Sequence, residues 1–82
     1  MFEGDEFDWD DGNIEHIARH GVEPWEAEEA VGDLDRVTRR RRGGRLAVIG
    51  ATEAGRVLVV VLNRKGRGVW RVVTARDSGP NK

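Results

Sequence analysis

The chain contains no cysteine and no tyrosine, and its only serine is Ser78, near the C-terminus. Without cysteine there is no disulfide framework, no thiolate metal site and no thiol nucleophile, a composition that fits a reducing compartment. Ser78 sits in the stretch Asp77-Ser78-Gly79-Pro80-Asn81-Lys82, which has no hydrophobic periodicity and reads as a frayed tail over 77–82. A serine nucleophile is therefore excluded as well, and no glycine loop matches a phosphate cradle. No apolar run approaches the roughly 20 residues that cross a bilayer. The first eleven residues carry acid where a signal peptide needs basic and apolar residues. The expected location is the cytoplasm, with no membrane partner. With 82 residues the chain makes a single domain, 1–82. A domain of that size buries only roughly 60% of its unfolded surface, so homodimerisation or a partner protein is a plausible supplement to its stability.

What the sequence has in abundance is charge, and the charge is divided. Residues 1–35 hold thirteen carboxylates against the single Arg19, a formal −12. Residues 36–82 hold thirteen Lys and Arg against Glu53 and Asp77, a formal +11, so the net −1 conceals a strong dipole along the chain. A basic half of this strength is the footprint of a partner that carries phosphates.

The acidic part, 1–35, reads as a short strand followed by two helices. Phe7 and Trp9 alternate with Asp8 and Asp10 as in a brief edge strand, and Asp10 or Asp11 caps a first helix that runs to about His20. Ile14, Ile17 and Ala18 share a face of that helix, Gly21 ends it and Val22 packs back. Pro24 opens a second helix with Glu23, Glu26, Glu28 and Glu29 near its positive end. Ala27, Ala30, Val31 and Leu34 form its inner face, and Gly32 ends it.

The basic part, 36–76, reads as an antiparallel four-stranded meander. Gly43-Gly44 predicts a hairpin turn between strands at 36–42 and 45–52; Glu53-Ala54-Gly55 and residues 65–68 supply two further turns. Val57-Leu58-Val59-Val60-Val61-Leu62 is apolar throughout and predicts a central strand covered on both faces. In the last strand, 69–75, Trp70, Val72 and Thr74 are expected on one side, with Val69, Arg71, Val73 and Ala75 on the other. The fold class is α+β: two helices bury an apolar stripe on one sheet face and leave the other partly open to carry arginines.

Two readings of those arginines stand side by side. Arg39, Arg40, Arg41 and Arg42, joined by Arg45, Arg64, Arg67, Arg71 and Arg76, make a surface that neutralises the phosphates of RNA. Alternatively they are edge charges that block aggregation and pair with the acidic helices. If 36–42 is a strand, Arg39 and Arg41 face one way and Arg40 and Arg42 the other, so only half the run lines one groove. Trp70 is the only aromatic of the basic half and is either a base-stacking platform or core. His16 and His20, four apart on one helix, have the spacing of a metal pair, but no third ligand or HExxH pattern accompanies them; His20 at a helix end is otherwise accounted for by the dipole. The chemistry left to an enzyme of this composition is acid–base and electrostatic, suited to cleaving RNA by its own 2′-hydroxyl.

Several segments together resemble one family. Trp9-Asp10, the stretch Asn13-Ile14-Glu15-His16-Ile17-Ala18-Arg19-His20-Gly21-Val22, the Glu-rich second helix, Gly50, Arg56-Val57-Leu58-Val59-Val60 and Arg71-Val72-Val73-Thr74-Ala75-Arg76-Asp77 are similar to the BrnT-type toxins of bacterial toxin–antitoxin pairs. The resemblance spans roughly Phe7 to Asp77. It implies a RelE-like microbial ribonuclease fold, metal-independent cleavage of RNA without a cofactor, and a BrnA-like antitoxin that binds DNA and masks the toxin. The C-terminal helix usual in the family, with its Glu-Arg and Tyr, is shortened or missing, so the expectation is an enzyme that is weak, inactive or dependent on other arginines. Carried onto the matching positions His20, Arg45, Arg71 and Arg76, the resemblance implies that Arg71 and Arg76 hold the scissile phosphate, Arg45 stabilises charge and His20 carries a proton; Lys65, outside the matching positions, is the alternative proton carrier. Arg39 to Arg42, with Arg64 and Arg67, then track the RNA. The alternative is a non-catalytic RNA- or protein-binding module built on the same fold.

Overall fold

Asp10 starts the first helix because its carboxylate accepts the Asn13 amide while the Asn13 side chain accepts the Asp10 amide, a reciprocal capping box. The computed structural model describes residues 5–78, and in it this cap joins strand β1 (Glu6–Asp8) to helix α1 (Asp11–Ala18). At the other end Gly21, at φ 73°, lets the Gly21 and Val22 amides return to the carbonyls of Ala18 and Ile17. Val22 is thereby driven into the core, as its position after the glycine predicts. Helix α2 (Pro24–Val31) begins with proline in its first turn and a second capping box, between Glu23 and Glu26.

The remaining chain forms β2 (Val37–Arg40), β3 (Leu46–Ala51), β4 (Val57–Gly66) and β5 (Val69–Asp77), antiparallel in sequence order. With β1 added parallel to β5, the sheet order is β1-β5-β4-β3-β2. This is the expected α+β arrangement of two helices on a meander with a short N-terminal strand. Beyond β1, α1 continues along the same edge of β5: the Asn13 amide donates to the carbonyls of Asp8 and Val72, satisfying backbone that β1 is too short to reach.

One face of the sheet packs on the helices. Leu58, Val60 and Leu62 of β4, Val48 of β3, and Val72 and Ala75 of β5 meet Ile17, Val22, Ala27, Ala30 and Val31 with almost no solvent exposure. Gly50 lies where α2 comes closest to β3, and a Cβ there would overlap the carbonyl of Ala30.

Five details depart from the sequence expectations. The other face of β4 is uncovered: Val59 and Val61 are half-buried and Val57 is 44% exposed, because both helices sit on the same side. The middle of the open face is therefore aliphatic, with arginines at its margins. Leu34 is 90% exposed, since α2 stops at Val31 and the chain turns away. In β5 an irregularity opposite Val61 and Leu62 inserts one residue, so Trp70, Val72 and Ala75 share the core side in place of Trp70, Val72 and Thr74. Gly43 and Gly44, both with φ near 75°, lie in a short 3₁₀ turn closed by the Arg41 amide on the Arg45 carbonyl, a longer loop than a two-residue hairpin. The first two residues of the expected frayed tail are paired: Asp77 ends β5 and the Ser78 amide donates to the Val57 carbonyl, while 79–82 lie outside the described residues.

Candidate functional site

The strand alternation of β2 divides the arginine run. Arg39 pairs with Ala47 on the open face, and Arg40 pairs with Leu46 on the helix side. At the end of the sheet that the helices leave bare, Arg40, Arg41, Arg45, Arg64 and Arg67 surround a bay of about 610 Å³, and among the described residues Asp5 is the only acid in its wall. Trp70 forms the floor: it is 5% exposed, its indole Nε1 donates to Asp5 Oδ2 at 2.8 Å, and the Arg64 guanidinium lies 5.7 Å from its ring centroid. Trp70 is thus core, with a cation already against its ring. Among the described residues no ion pair is formed by Arg40, Arg41, Arg45, Arg64 or Arg67, so their charge is uncompensated except by Asp5.

Arg45 also lines a second, smaller notch of about 350 Å³, with His16, Asn63 and Arg71. Helix α1 brings His16 to this place, and its Nε2 stands 3.0 Å from Thr74 Oγ1. Arg71 is clamped: one guanidinium nitrogen donates to Asp8 Oδ2 at 3.2 Å and to Asp10 Oδ2 at 2.9 Å, and the other to Asp10 Oδ1 at 3.1 Å. The hydrogen bond from Arg71, with the Asn13 amide behind it, holds the Asp10 carboxyl down from an ordinary 3.8 to about 2. The same bond, donated to Asp10, then that donated to Asp8, raises Arg71 above its usual value. Two carboxylates on one guanidinium leave this corner with no surplus positive charge.

The structure brings Arg45 and Arg71 together but spreads the other residues named from the sequence. His20 follows the end of α1, exposed, with its ring centroid 5.5 Å from that of His16 and edge-on to it. Lys65 is exposed near the β4–β5 turn, outside the notch. Arg76 pairs with Val59 towards the far end of β5, exposed and well along the strand from Arg71. Arg42 is exposed in the 3₁₀ turn. Among the described residues no group of three or more His, Asp or Glu side chains is placed to hold a metal ion.

Two residues acquire importance that the sequence reading did not give them. His16, considered there only beside His20, is the histidine that shares a cavity with Arg45 and Arg71. Arg56 donates to the carbonyls of His20 and Gly21 and to Glu26 and Asp77, tying the loop after α1 and the start of α2 to the sheet. Arg56 thus serves the fold, and only its match to the family pattern singled it out in the sequence.

A small α+β domain with an arginine-rich, acid-poor end and a histidine beside paired guanidiniums defines the class: a compact protein shaped to meet a polyanion. The chain belongs to the BrnT family, the ribonuclease toxins of type II toxin–antitoxin systems, whose family model matches residues 9–81. Membership implies an RNA substrate and a cognate antitoxin. A search of curated proteins gave no match. Among the described residues no helix is long and apolar enough to cross a membrane.

Proposed function

We propose that this chain is a cytoplasmic endoribonuclease toxin that cuts RNA through the 2′-hydroxyl without a metal ion, at the notch between α1 and the sheet. The observation that carries this reading is the convergence of His16, Asn63, Arg45 and Arg71 on one cavity. Such cleavage needs the 2′-hydroxyl deprotonated, the phosphorane charge matched and the leaving 5′-oxygen protonated. Arg45, free of ion pairs among the described residues, matches the phosphorane charge. Arg71, already oriented by Asp8 and Asp10, positions the scissile phosphate from the opposite wall. His16 carries a proton in preference to His20 or Lys65, because it shares the cavity with both arginines. Arg76, Arg39 and Arg42 lie outside the notch and contribute attraction to more distant phosphates.

The partner in this reading is a BrnA-like antitoxin that binds DNA. The test is expression with and without that partner. Growth should stop and bulk mRNA should decline when the chain is made alone, and Arg45→Ala should abolish both effects at unchanged protein level. Undiminished growth with well-folded protein removes the toxin reading.

One observation favours a second reading. The charge of Arg71 is fully matched by Asp8 and Asp10, as expected for a clamp that holds β1 and α1 against β5. A domain using Arg71 in that way alone would bind RNA through its other arginines without cutting it. Salt-sensitive binding without cleavage products would identify that case.

A further inference from the structure

The arginine bay is separate from the notch, and the two share only Arg45. It differs from an ordinary solvated charge cluster in three ways. It is concave, and its 610 Å³ falls within the roughly 300–1,000 Å³ of small-molecule sites. Its five guanidiniums face one carboxylate, and that carboxylate is engaged by Trp70. One guanidinium, Arg64, is fixed by the indole behind it and by a hydrogen bond to the Gly66 carbonyl, yet remains exposed on its outer side. A guanidinium backed by an indole serves as a stacking platform for a nucleobase, and the surrounding arginines are donors for phosphate oxygens.

We propose that the bay is a nucleotide subsite for single-stranded RNA: an unpaired base stacks on Arg64, and its flanking phosphates are held by Arg40, Arg41 and Arg67. The proposal deepens, and rests on, the reading of RNA as substrate. Because Arg45 borders both cavities, the strand runs continuously from the notch around the bare end of the sheet into the bay. The enzyme therefore grips RNA beyond the bond it cuts. An unpaired strand is required, since a base within a duplex offers no free face to Arg64.

The test uses the full chain and a fluorescent RNA heptamer made uncleavable by 2′-O-methylation. Arg64→Ala should weaken heptamer binding about tenfold, the scale of one lost base stack. Arg41→Ala with Arg67→Ala should reduce the slope of log affinity against log salt by about 1.4, as expected for two lost phosphate contacts on a single strand. Arg19→Ala, which removes the same charge from the helical side, should change neither. Unchanged heptamer affinity in Arg64→Ala and in the double variant overturns the subsite. Displacement of the heptamer by an acidic peptide of equal charge at equal concentration also overturns it, because the bay then recognises protein. If the wild-type chain cuts no RNA at all, the cleavage reading fails while the heptamer arm still decides the bay.

Discussion

Asp10 shows how much one side chain does at the margin of the notch. It caps α1, and the same carboxylate makes both bonds to Arg71 that hold the guanidinium in a plane. Its folded pKa of about 2 lies below the ordinary 3.8, so its contribution to stability is fully present above pH 4 and is lost as pH falls towards 2. Asp33 and Asp77 are lowered in the same direction, the first by the Ala51 amide and the second by Arg56. Asp10→Asn keeps a capping side chain but removes the ion pair. Its Tm should fall below wild type at pH 7, and the gap should close between pH 4 and pH 2; a gap that persists at pH 2 would assign the loss to capping alone. The cap was legible in the sequence from Asp10 and the apolar face that follows it. The ion pair was not, because it joins residues 61 apart that only the parallel docking of β1 on β5 makes neighbours.

At the scale of elements, local patterns predicted what local physics controls. Gly21, Pro24 and the Glu53-Ala54-Gly55 turn mark real ends and starts because each is decided within a few residues. The continuous apolar run of β4 predicted burial on both faces, yet apolarity alone does not say how many layers exist to cover a strand. Only the placement of both helices on one side leaves Val57, Val59 and Val61 towards solvent. Likewise the inserted residue in β5 shifts the alternation by one, which a period-two reading cannot detect. At Gly50 α2 lies so close on β3 that no room is left for a Cβ. Gly50→Ala forces the Ala30 carbonyl and α2 outward, an overpacking expected to cost about 3 kcal/mol. Thermal unfolding should show Tm lowered by roughly 10 °C or more. A variant within about 2 °C of wild type would mean that α2 moves freely over β3.

Across the whole molecule the divided charge takes a definite form. The acidic half supplies both helices and β1, and among the described residues it partly neutralises the basic half through Asp8 and Asp10 on Arg71 and Glu26 on Arg56. The expectation that the arginine run simply pairs with the acidic helices is not met, because Arg39 to Arg42 form no ion pairs among the described residues. Their charge is left at the β2–β3 end of the sheet, with Arg45, Arg64 and Arg67. The result is a molecule of net charge −1 whose acid is concentrated on its helical side and whose arginines without ion pairs among the described residues gather at one end of its sheet. Sequence counting revealed the two halves. It could not reveal that Arg71 and Arg56 are tied into ion pairs while Arg45 forms none among the described residues, since that depends on which carboxylates the topology brings near.

Cleavage of RNA by the purified chain in the presence of a metal chelator tests the central claim most directly. The account predicts fragments ending in 2′,3′-cyclic phosphate, with the rate reduced about a hundredfold or more by Arg45→Ala and by His16→Ala, and little changed by His20→Ala. Intact RNA from the folded chain, cleavage that appears only when a divalent metal is restored, or full activity in both the Arg45 and His16 variants would contradict it.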